Sequence, residues 1–381
     1  MSAAAPVSRP VPPFNAEHER LRAEMRTFVE TRLRPHADEW EQAAWFPDEV
    51  FGWLAEAGYL GLKFPAAYGG GGDPVAAAVF VEELARCGSG GVAAGLGAHA
   101  GIALPPILAF GTEEQKQRYL VPGLRGERIA ALAITEPGAG SDVAGIRTRA
   151  QRVDGGFVVN GAKMFITGGV RAELLVTAVR TRADGARHEG ISFLIVDRGE
   201  SDGVTASPLR KLGWHASDTA EIAFDDVFVP EENLLGDEHG GFYLIMANFQ
   251  WERLLMALGA IGAMQACFEQ TLAFVLRDGR RPGQAIRHQL AAIAVEIEAG
   301  RDVTYAALRR HLAGQDAVQP VTIAKLRTQR AAFDAIDVCL SIHGLEAPAE
   351  LERAARDARL GPIGGGTDEI MKEILGRSLG L

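Results

Sequence analysis

Cysteine is scarce: the 381 residues include Cys87, Cys267 and Cys339, widely spaced and with no CxxC pair. That excludes a disulfide framework and a zinc ribbon, and it fits a reducing compartment, so a cytoplasmic location is expected. Basic residues are also in deficit, with 39 Lys plus Arg against 49 Asp plus Glu and a net charge of -10. A generic binder of nucleic acid or of anionic membranes is therefore not expected. The uncharged stretch Gly88 to Thr112 carries Gly90-Gly91, His99 and Pro105-Pro106. On this reading those residues break any apolar span able to cross a bilayer, and the stretch is buried interior. Met1 to Pro13 has neither an apolar h-region nor an Arg-rich amphipathic pattern, and reads as a loose Pro/Ala-rich tail. Gly69-Gly70-Gly71-Gly72-Asp73-Pro74 has no Gly-Lys-Ser/Thr behind it, so it is taken as a flexible helix connection and not as a phosphate loop.

What is present is ordinary globular material, 47% hydrophobic and 23% charged, in a chain long enough for two or three domains. Leu21, Met25, Phe28, Val29 and Leu33 recur at helical spacing, and Ala- and Leu-rich segments continue to about Arg125. Past Ile129 the runs shorten to Phe157-Val158-Val159, Met164-Phe165-Ile166, Leu174-Leu175-Val176, Ile191 to Val196 and Ala220 to Val229, with Asp154-Gly155 and Asn160-Gly161 as hairpin turn signals. Helical period returns from Gly240 to Leu276, over Gln284 to Ala313 and Thr322 to Ile342, and near Asp368 to Leu379. The order α, β, α predicts a multidomain α+β chain and not a doubly wound sheet. The expected units are a tail over 1–13, a helical domain over 14–128, a β domain over 129–237 and a helical domain over 238–381.

Four segments can carry chemistry. Thr135-Glu136-Pro137-Gly138-Ala139-Gly140-Ser141-Asp142 follows an apolar run and offers hydroxyls, glycines and backbone amides to a flat polar ligand; a strand-ending turn explains it as well. Strand alternation would put Phe165 and Thr167 on one side, a stacking face beside a hydrogen-bond donor, though each is also ordinary strand filling. Glu252 has Phe249, Leu255 and Met256 at helical neighbour positions, so its carboxyl projects among apolar groups, where desolvation raises its pKa toward that of a general base. The alternative is an ion pair with Arg253 or Arg280. Gly361-Pro362-Ile363-Gly364-Gly365-Gly366-Thr367-Asp368 opens the last helix with Asp368 placed to help cap it, and its amides can meet a carbonyl oxygen or phosphate; a plain helix entry is the other reading.

Together these segments resemble the acyl-CoA dehydrogenase family over nearly the whole chain. Pro65-Ala66-Ala67-Tyr68-Gly69-Gly70, Gly111-Thr112-Glu113-Glu114-Gln115-Lys116, Lys211-Leu212-Gly213-Trp214 and Arg356-Asp357-Ala358-Arg359 add to the match. The resemblance implies an N-terminal helical domain, a central antiparallel β-barrel domain and a C-terminal four-helix domain. It implies FAD, with Leu132, Ile134, Thr135 and Ser141 lining the flavin, Phe165 stacking near it, Thr167 bonding around N5, and Gln284 and Thr367 also in contact with the cofactor. The family glutamate stands either in the terminal glycine loop, here Gly365, or on the long helix, here Glu252, as in the long-chain and isovaleryl branches. Glu252 is the implied base, the Gly365 N–H the implied donor to the thioester carbonyl, and Ser141 and Arg253 the implied substrate contacts. The implied reaction is α,β-dehydrogenation of an acyl-CoA or acyl-carrier thioester, with an electron-transfer flavoprotein as electron partner and a homo-oligomer or a heteromer with a homologue as the assembly. A half-site subunit and a flavin oxidase or monooxygenase are the competing readings. The Arg-x-x-Phe-Gly loop expected between Phe274 and Gln284 is short here, where Arg280-Arg281-Pro282-Gly283 stands. Ser341-Ile342-His343-Gly344-Leu345 replaces Gln-x-x-Gly-Gly, and Gly364 an aromatic.

Overall fold

The computed structural model describes residues 11–277, 279 and 281–381. Most of the tail expected over 1–13, and Arg280, lie outside the described residues.

Helix Ala16–Phe28 opens on Asn15, whose side chain accepts from the Glu17 and His18 amides at 2.9 and 3.0 Å, while the Asn15 amide donates to His18 Nδ1 at 3.1 Å. These bonds satisfy donors that a helix start otherwise leaves free. Met25, Val29 and Leu33 are fully buried and Leu21 and Phe28 pack against the same core, as the helical spacing requires. In the glycine run a Cβ on Gly70 would collide with the Phe64 carbonyl oxygen. The run is a packing turn, and Asp73 behind it caps the helix Pro74–Leu84 through the Val75 and Ala76 amides.

The stretch Gly90–Phe110 corrects one expectation. It is a continuous helical run, long and apolar enough to cross a membrane by length and composition, with half of its apolar window buried in the protein. Neither His99 nor the prolines interrupt it. A π-turn spans His99–Ala103, and Pro105 and Pro106 fall in the first turn of Leu104–Phe110, where a missing N–H leaves least unsatisfied. His99 ties this run to its neighbours: Nδ1 accepts from the Ala130 amide at 3.0 Å and Nε2 bonds the Gly123 carbonyl at 2.9 Å.

The middle third is one sheet of eight strands: β1 (Ala130–Ala133), β2 (Arg149–Val153), β3 (Gly156–Ile166), β4 (Leu174–Arg180), β5 (Ile191–Asp197), β6 (Val204–Pro208), β7 (Ala220–Pro230) and β8 (Leu234–Leu235). Its order is β6-β7-β3-β2-β4-β5-β8, with β1 beside β4. Most neighbours are antiparallel, but β1 and the start of β2 run parallel to β4, because the β2–β3 hairpin is a crossover between β1 and β4. Asp154-Gly155 is the turn of that hairpin. Asn160-Gly161 is not a turn: it lies inside β3, at a shift in register against β7, with Gly161 at φ +147° and room for no side chain, since a Cβ there would sit 2.6 Å from Thr148 Cα. The two runs on either side of it are therefore one strand. Strands β4 and β5 are buried on both faces, Leu175, Val179, Leu194 and Val196 on one, Val176, Ala178, Phe193 and Ile195 on the other.

Three long helices, Gly241–Leu276, Gln284–Leu312 and Val318–His343, and two short ones, Ala349–Asp357 and Asp368–Ser378, complete the chain. The first of them, called the long helix below, has no single apolar face because it is covered from two sides. Its first half joins Trp251, Leu254 and Leu258 to the N-terminal core together with Tyr305, Leu308 and Val321. Its second half joins Met264 and Cys267 to Ile297, Ile336 and Cys339. Glu252 lies on the first half, where the N-terminal helices, the sheet and the helical bundle converge.

Candidate active site

The loop after β1 is held from below by a buried ion pair. Glu136 turns inward and accepts from the Arg147 amide at 2.6 Å, the Thr148 amide at 2.9 Å and Lys163 Nζ at 2.8 Å; Lys163 also donates to the Ile134 carbonyl at 3.0 Å. Burial pushes the Glu136 carboxyl up, but Lys163 and the two amides outweigh it and hold it below the usual carboxylate range. The Met164 amide bonds the Thr135 carbonyl at 2.8 Å, so loop and strand move as one piece. With Glu136 facing in, Ser141 and the open glycines Gly138 and Gly140 face out. Leu132 and Thr135 are half-buried, and Ile134 is buried.

Phe165 and Thr167 do reach the same edge, though not by strand alternation. Strand β3 ends at Ile166, Thr167 is in the turn beyond it, and a register shift between Lys163 and Ile166 places Phe165 at φ +61°. A left-handed phenylalanine costs about 1–2 kcal/mol in backbone strain, and here the residue is 66% exposed. Among the described residues the hydroxyls of Thr135, Ser141 and Thr167 make no hydrogen bond. An exposed ring held against its backbone preference, beside unspent hydroxyls and an open glycine loop, fits a flat, polar-edged ligand such as the flavin of FAD.

The second half of the site is built by the long helix and the terminal turn. Gly365 stands at φ +63° and Gly366 at φ +99°, and a Cβ placed on Gly365 would sit 3.3 Å from Met256 Cγ and 3.9 Å from Glu252 Oε1. Burial drives the Glu252 carboxyl up to about 7, against the opposing pull of Arg253 and Lys325. The ion pair weighed for Glu252 does not form with Arg253. That guanidinium instead sends Nε to the Gly365 carbonyl at 3.3 Å and lies over the Phe249 ring at 5.4 Å. Lys325 Nζ holds the next carbonyl, Gly366, at 2.6 Å. The Gly364 amide donates back to Leu360 at 2.9 Å, whereas the Gly365 and Gly366 amides donate to no group among the described residues.

Thr367, not Asp368, caps the terminal helix, accepting from the Ile370 amide at 3.3 Å. Asp368 is buried and paired with Arg330 at 2.5 Å, because the residue after the cap is already helical and its side chain points along the helix flank. Gln284 is exposed at the first residue of its helix and makes no hydrogen bond with the Thr135–Ser141 loop. One chain thus brings Glu252, Arg253, Gly365 and Thr367 together, and Thr135, Ser141, Phe165 and Thr167 together, but leaves Gln284 apart. A cavity of about 310 Å³ lined by Met246, Phe249, Gln250, Arg253, Val318 and Ile374 adjoins the first group. A larger one, about 450 Å³ beside Tyr68, Gln117 and Arg125, holds none of the candidate catalytic, cofactor or substrate residues. Lys163 and Lys325 escaped the sequence reading; the signal that marks them is a lysine with apolar neighbours on both sides, Ala162 and Met164 for the one and Ala324 and Leu326 for the other.

With this geometry in place, family models decide the assignment. The acyl-CoA dehydrogenase N-terminal domain matches residues 15–127, the middle domain 131–227 and the C-terminal domain 239–380. The chain belongs to the acyl-CoA dehydrogenase family. It is 35% identical over 378 residues to the mitochondrial isovaleryl-CoA dehydrogenase of Solanum tuberosum, covering 96% of this chain and 91% of that one. It is equally 35% identical over 378 residues to the mitochondrial long-chain specific acyl-CoA dehydrogenase of Mus musculus, covering 96% and 87%. These are the two branches to which the placement of Glu252 pointed. Among solved structures, acyl-CoA dehydrogenase from Geobacillus kaustophilus superimposes with a TM-score of 0.92 at 38% identity, covering 97% of this chain and all of that one. The FAD complex of PigA superimposes at 0.91 with 25% identity, covering 97% and 98%.

Proposed function

We propose that the chain is a FAD-dependent acyl-CoA dehydrogenase that converts a saturated acyl thioester to the trans-2-enoyl thioester. One observation carries the reading: a carboxyl with its pKa near 7 faces a glycine turn whose amides are unspent. Glu252 removes the α-proton. The Gly365 N–H donates to the thioester carbonyl oxygen and stabilises the negative charge that grows there as the α C–H bond breaks. FAD, when bound, takes the β-hydrogen with its electron pair as hydride, so that the α,β double bond forms. Thr135, Ser141, Phe165 and Thr167, with Leu132 and Ile134 beneath, are the residues of this chain that would hold the flavin ring, and Thr367 supports it from the terminal helix. Arg253 and Ser141 orient the thioester.

The finer points belong to the same proposal. An electron-transfer flavoprotein is the expected electron acceptor, and the cytoplasm the expected compartment on the cysteine usage. The assembly is a homotetramer or a heteromer with a homologue: Leu272, Leu276, Val295 and Ile323 are large apolar residues left exposed on the three long helices. Gln284, apart from the flavin loop of its own chain, is then a contact to the cofactor of a neighbouring subunit. The test is to purify the protein, record its visible spectrum and titrate a panel of acyl-CoAs differing in chain length under nitrogen. Bleaching of the flavin by at least one, with formation of the enoyl thioester, is expected; a holoprotein bleached by none would overturn the reading.

A further inference from the structure

We infer that Lys325 is a positioning residue for the thioester half of this site: its ammonium anchors the Gly365–Gly366 turn by a carbonyl oxygen and supplies the positive field in which Glu252 works. This rests on the dehydrogenase reading above and deepens it.

Lys325 stands on the helix Val318–His343, between Ala324 and Leu326, and is fully buried. A buried ammonium is costly unless something uses it. No carboxylate lies within ion-pairing distance of it among the described residues, and its hydrogen bond goes to a neutral group, the Gly366 carbonyl, at 2.6 Å. The charges that face it are Asp368 from the terminal helix, Arg253 and Glu252 from the long helix, and Arg330 from its own helix. Asp368 is the strongest opposing charge on Lys325 although its Oδ2 is paired with Arg330, and the lysine charge still acts on Glu252, where it pulls the carboxyl pKa down.

The anchoring matters because of where it falls. Two adjacent glycines at positive φ have little intrinsic preference for one conformation. Arg253 takes the carbonyl of the first and Lys325 that of the second, while the Gly364 amide fixes the turn from the other end. The Gly365 carbonyl shares a peptide plane with the Gly366 N–H and the Gly366 carbonyl one with the Thr367 N–H, so Arg253 fixes the first plane and Lys325 the second. With the Gly364 amide held by Leu360, the turn is pinned on both sides of the unspent Gly365 amide. Preorganised donors of this kind need no rearrangement as enolate charge develops. Burial also lowers the Lys325 pKa to about 8. The field on Glu252 is therefore present at neutral pH and fades in mild alkali, which sets an upper limit to a working range whose lower limit is the Glu252 pKa near 7.

The experiment is the pH dependence of kcat and of kcat/KM with a saturated acyl-CoA for the FAD-loaded wild type, Lys325→Met and Lys325→Arg. Wild type is expected to rise through about pH 7 and to fall again above about pH 8. Lys325→Met should lose the alkaline fall, move the acid limb upward by about half a unit or more, and reduce kcat roughly 10- to 100-fold with a smaller change in KM. Lys325→Arg, whose charge does not titrate here, should keep the acid limb, lose the alkaline fall and recover most of kcat. Amide hydrogen exchange in the holoprotein should be faster in Lys325→Met than in wild type at Asp368 and Ile370, whose amides close the turn on the Pro362 carbonyl and the Thr367 hydroxyl just beyond the carbonyl that Lys325 holds. If Lys325→Met does not fold, Lys325→Arg decides: an unchanged alkaline limb in that variant overturns the inference, as do unchanged limbs or unchanged exchange in a folded Met variant. A wild type that oxidises no acyl-CoA fails the dehydrogenase reading, while the exchange comparison still decides the anchoring by Lys325.

Discussion

Oε1 of Glu252 lies 3.9 Å from the point a Cβ on Gly365 would occupy, so the long helix and the terminal turn address one spot from opposite directions. A carboxylate carried on either element can reach it. Glu252→Gln is therefore expected to cut flavin reduction by an acyl-CoA roughly 10²–10⁴-fold with the fold intact. Adding Gly365→Glu should restore part of the rate, less than the full amount because a glutamate at φ +63° is strained. Stopped-flow bleaching of the three proteins checks both statements.

The same carboxyl makes a stability prediction with a defined sign. Its folded pKa, about 7, stands above the ordinary 4.5, so folding favours the protonated form. The stabilisation is complete below about pH 4.5 and is lost as pH rises through 7. Glutamine has no charge to bury. Thermal melts of the flavin-free proteins at pH 8.5 should find Glu252→Gln more stable than wild type, by up to about 2–3 kcal/mol, with the difference shrinking toward pH 5.

Lys163→Met should have the opposite character. It strands the Glu136 carboxylate in the interior, at a cost of about 3–5 kcal/mol, and loosens the loop that carries Thr135 and Ser141. Denaturant unfolding should report the lost stability, and the ratio of flavin absorbance to protein should fall. Because Glu136 is held below its ordinary pKa, the stability it contributes in wild type is present above that ordinary value and is lost as pH falls through the depressed one. The variant should accordingly lie closest to wild type in acid.

The exposed apolar residues of the bundle give a prediction about assembly. Val295→Asp or Ile323→Asp, at positions 64% and 40% exposed, should leave an isolated chain folded but shift light scattering toward smaller species. A wild-type monomer that still binds flavin would contradict the proposed oligomer.

Much of this architecture is legible in the sequence because its signals are local. The period of Leu21, Met25, Val29 and Leu33 is a property of neighbouring residues, and so is the Asp154-Gly155 turn. Glu252 among Phe249, Leu255 and Met256 could be read the same way. What escaped is what depends on distant partners. Asn160-Gly161 has the composition of a turn, yet Thr148 packed against Gly161 makes it a bulge. Gly90–Phe110 was read as broken by its prolines, because a π-turn that reseats them leaves no mark in composition. Arg253 looked like the partner of Glu252 until the Gly365 carbonyl, more than a hundred residues away in sequence, claimed it.

His99 joins the buried helical run to the first strand and to the Gly123 carbonyl. Since the Ala130 amide must donate to Nδ1, the ring proton can stand nowhere but on Nε2, and the imidazole is frozen in one tautomer. A second proton would break the bond to β1, and burial lowers the pKa to about 4 to match. The side chain is thus an acid fuse between two layers of the molecule. Its contribution is whole above about pH 6.5 and is spent as pH falls through about 4, so the seam between helices and sheet is where the fold should first part in acid.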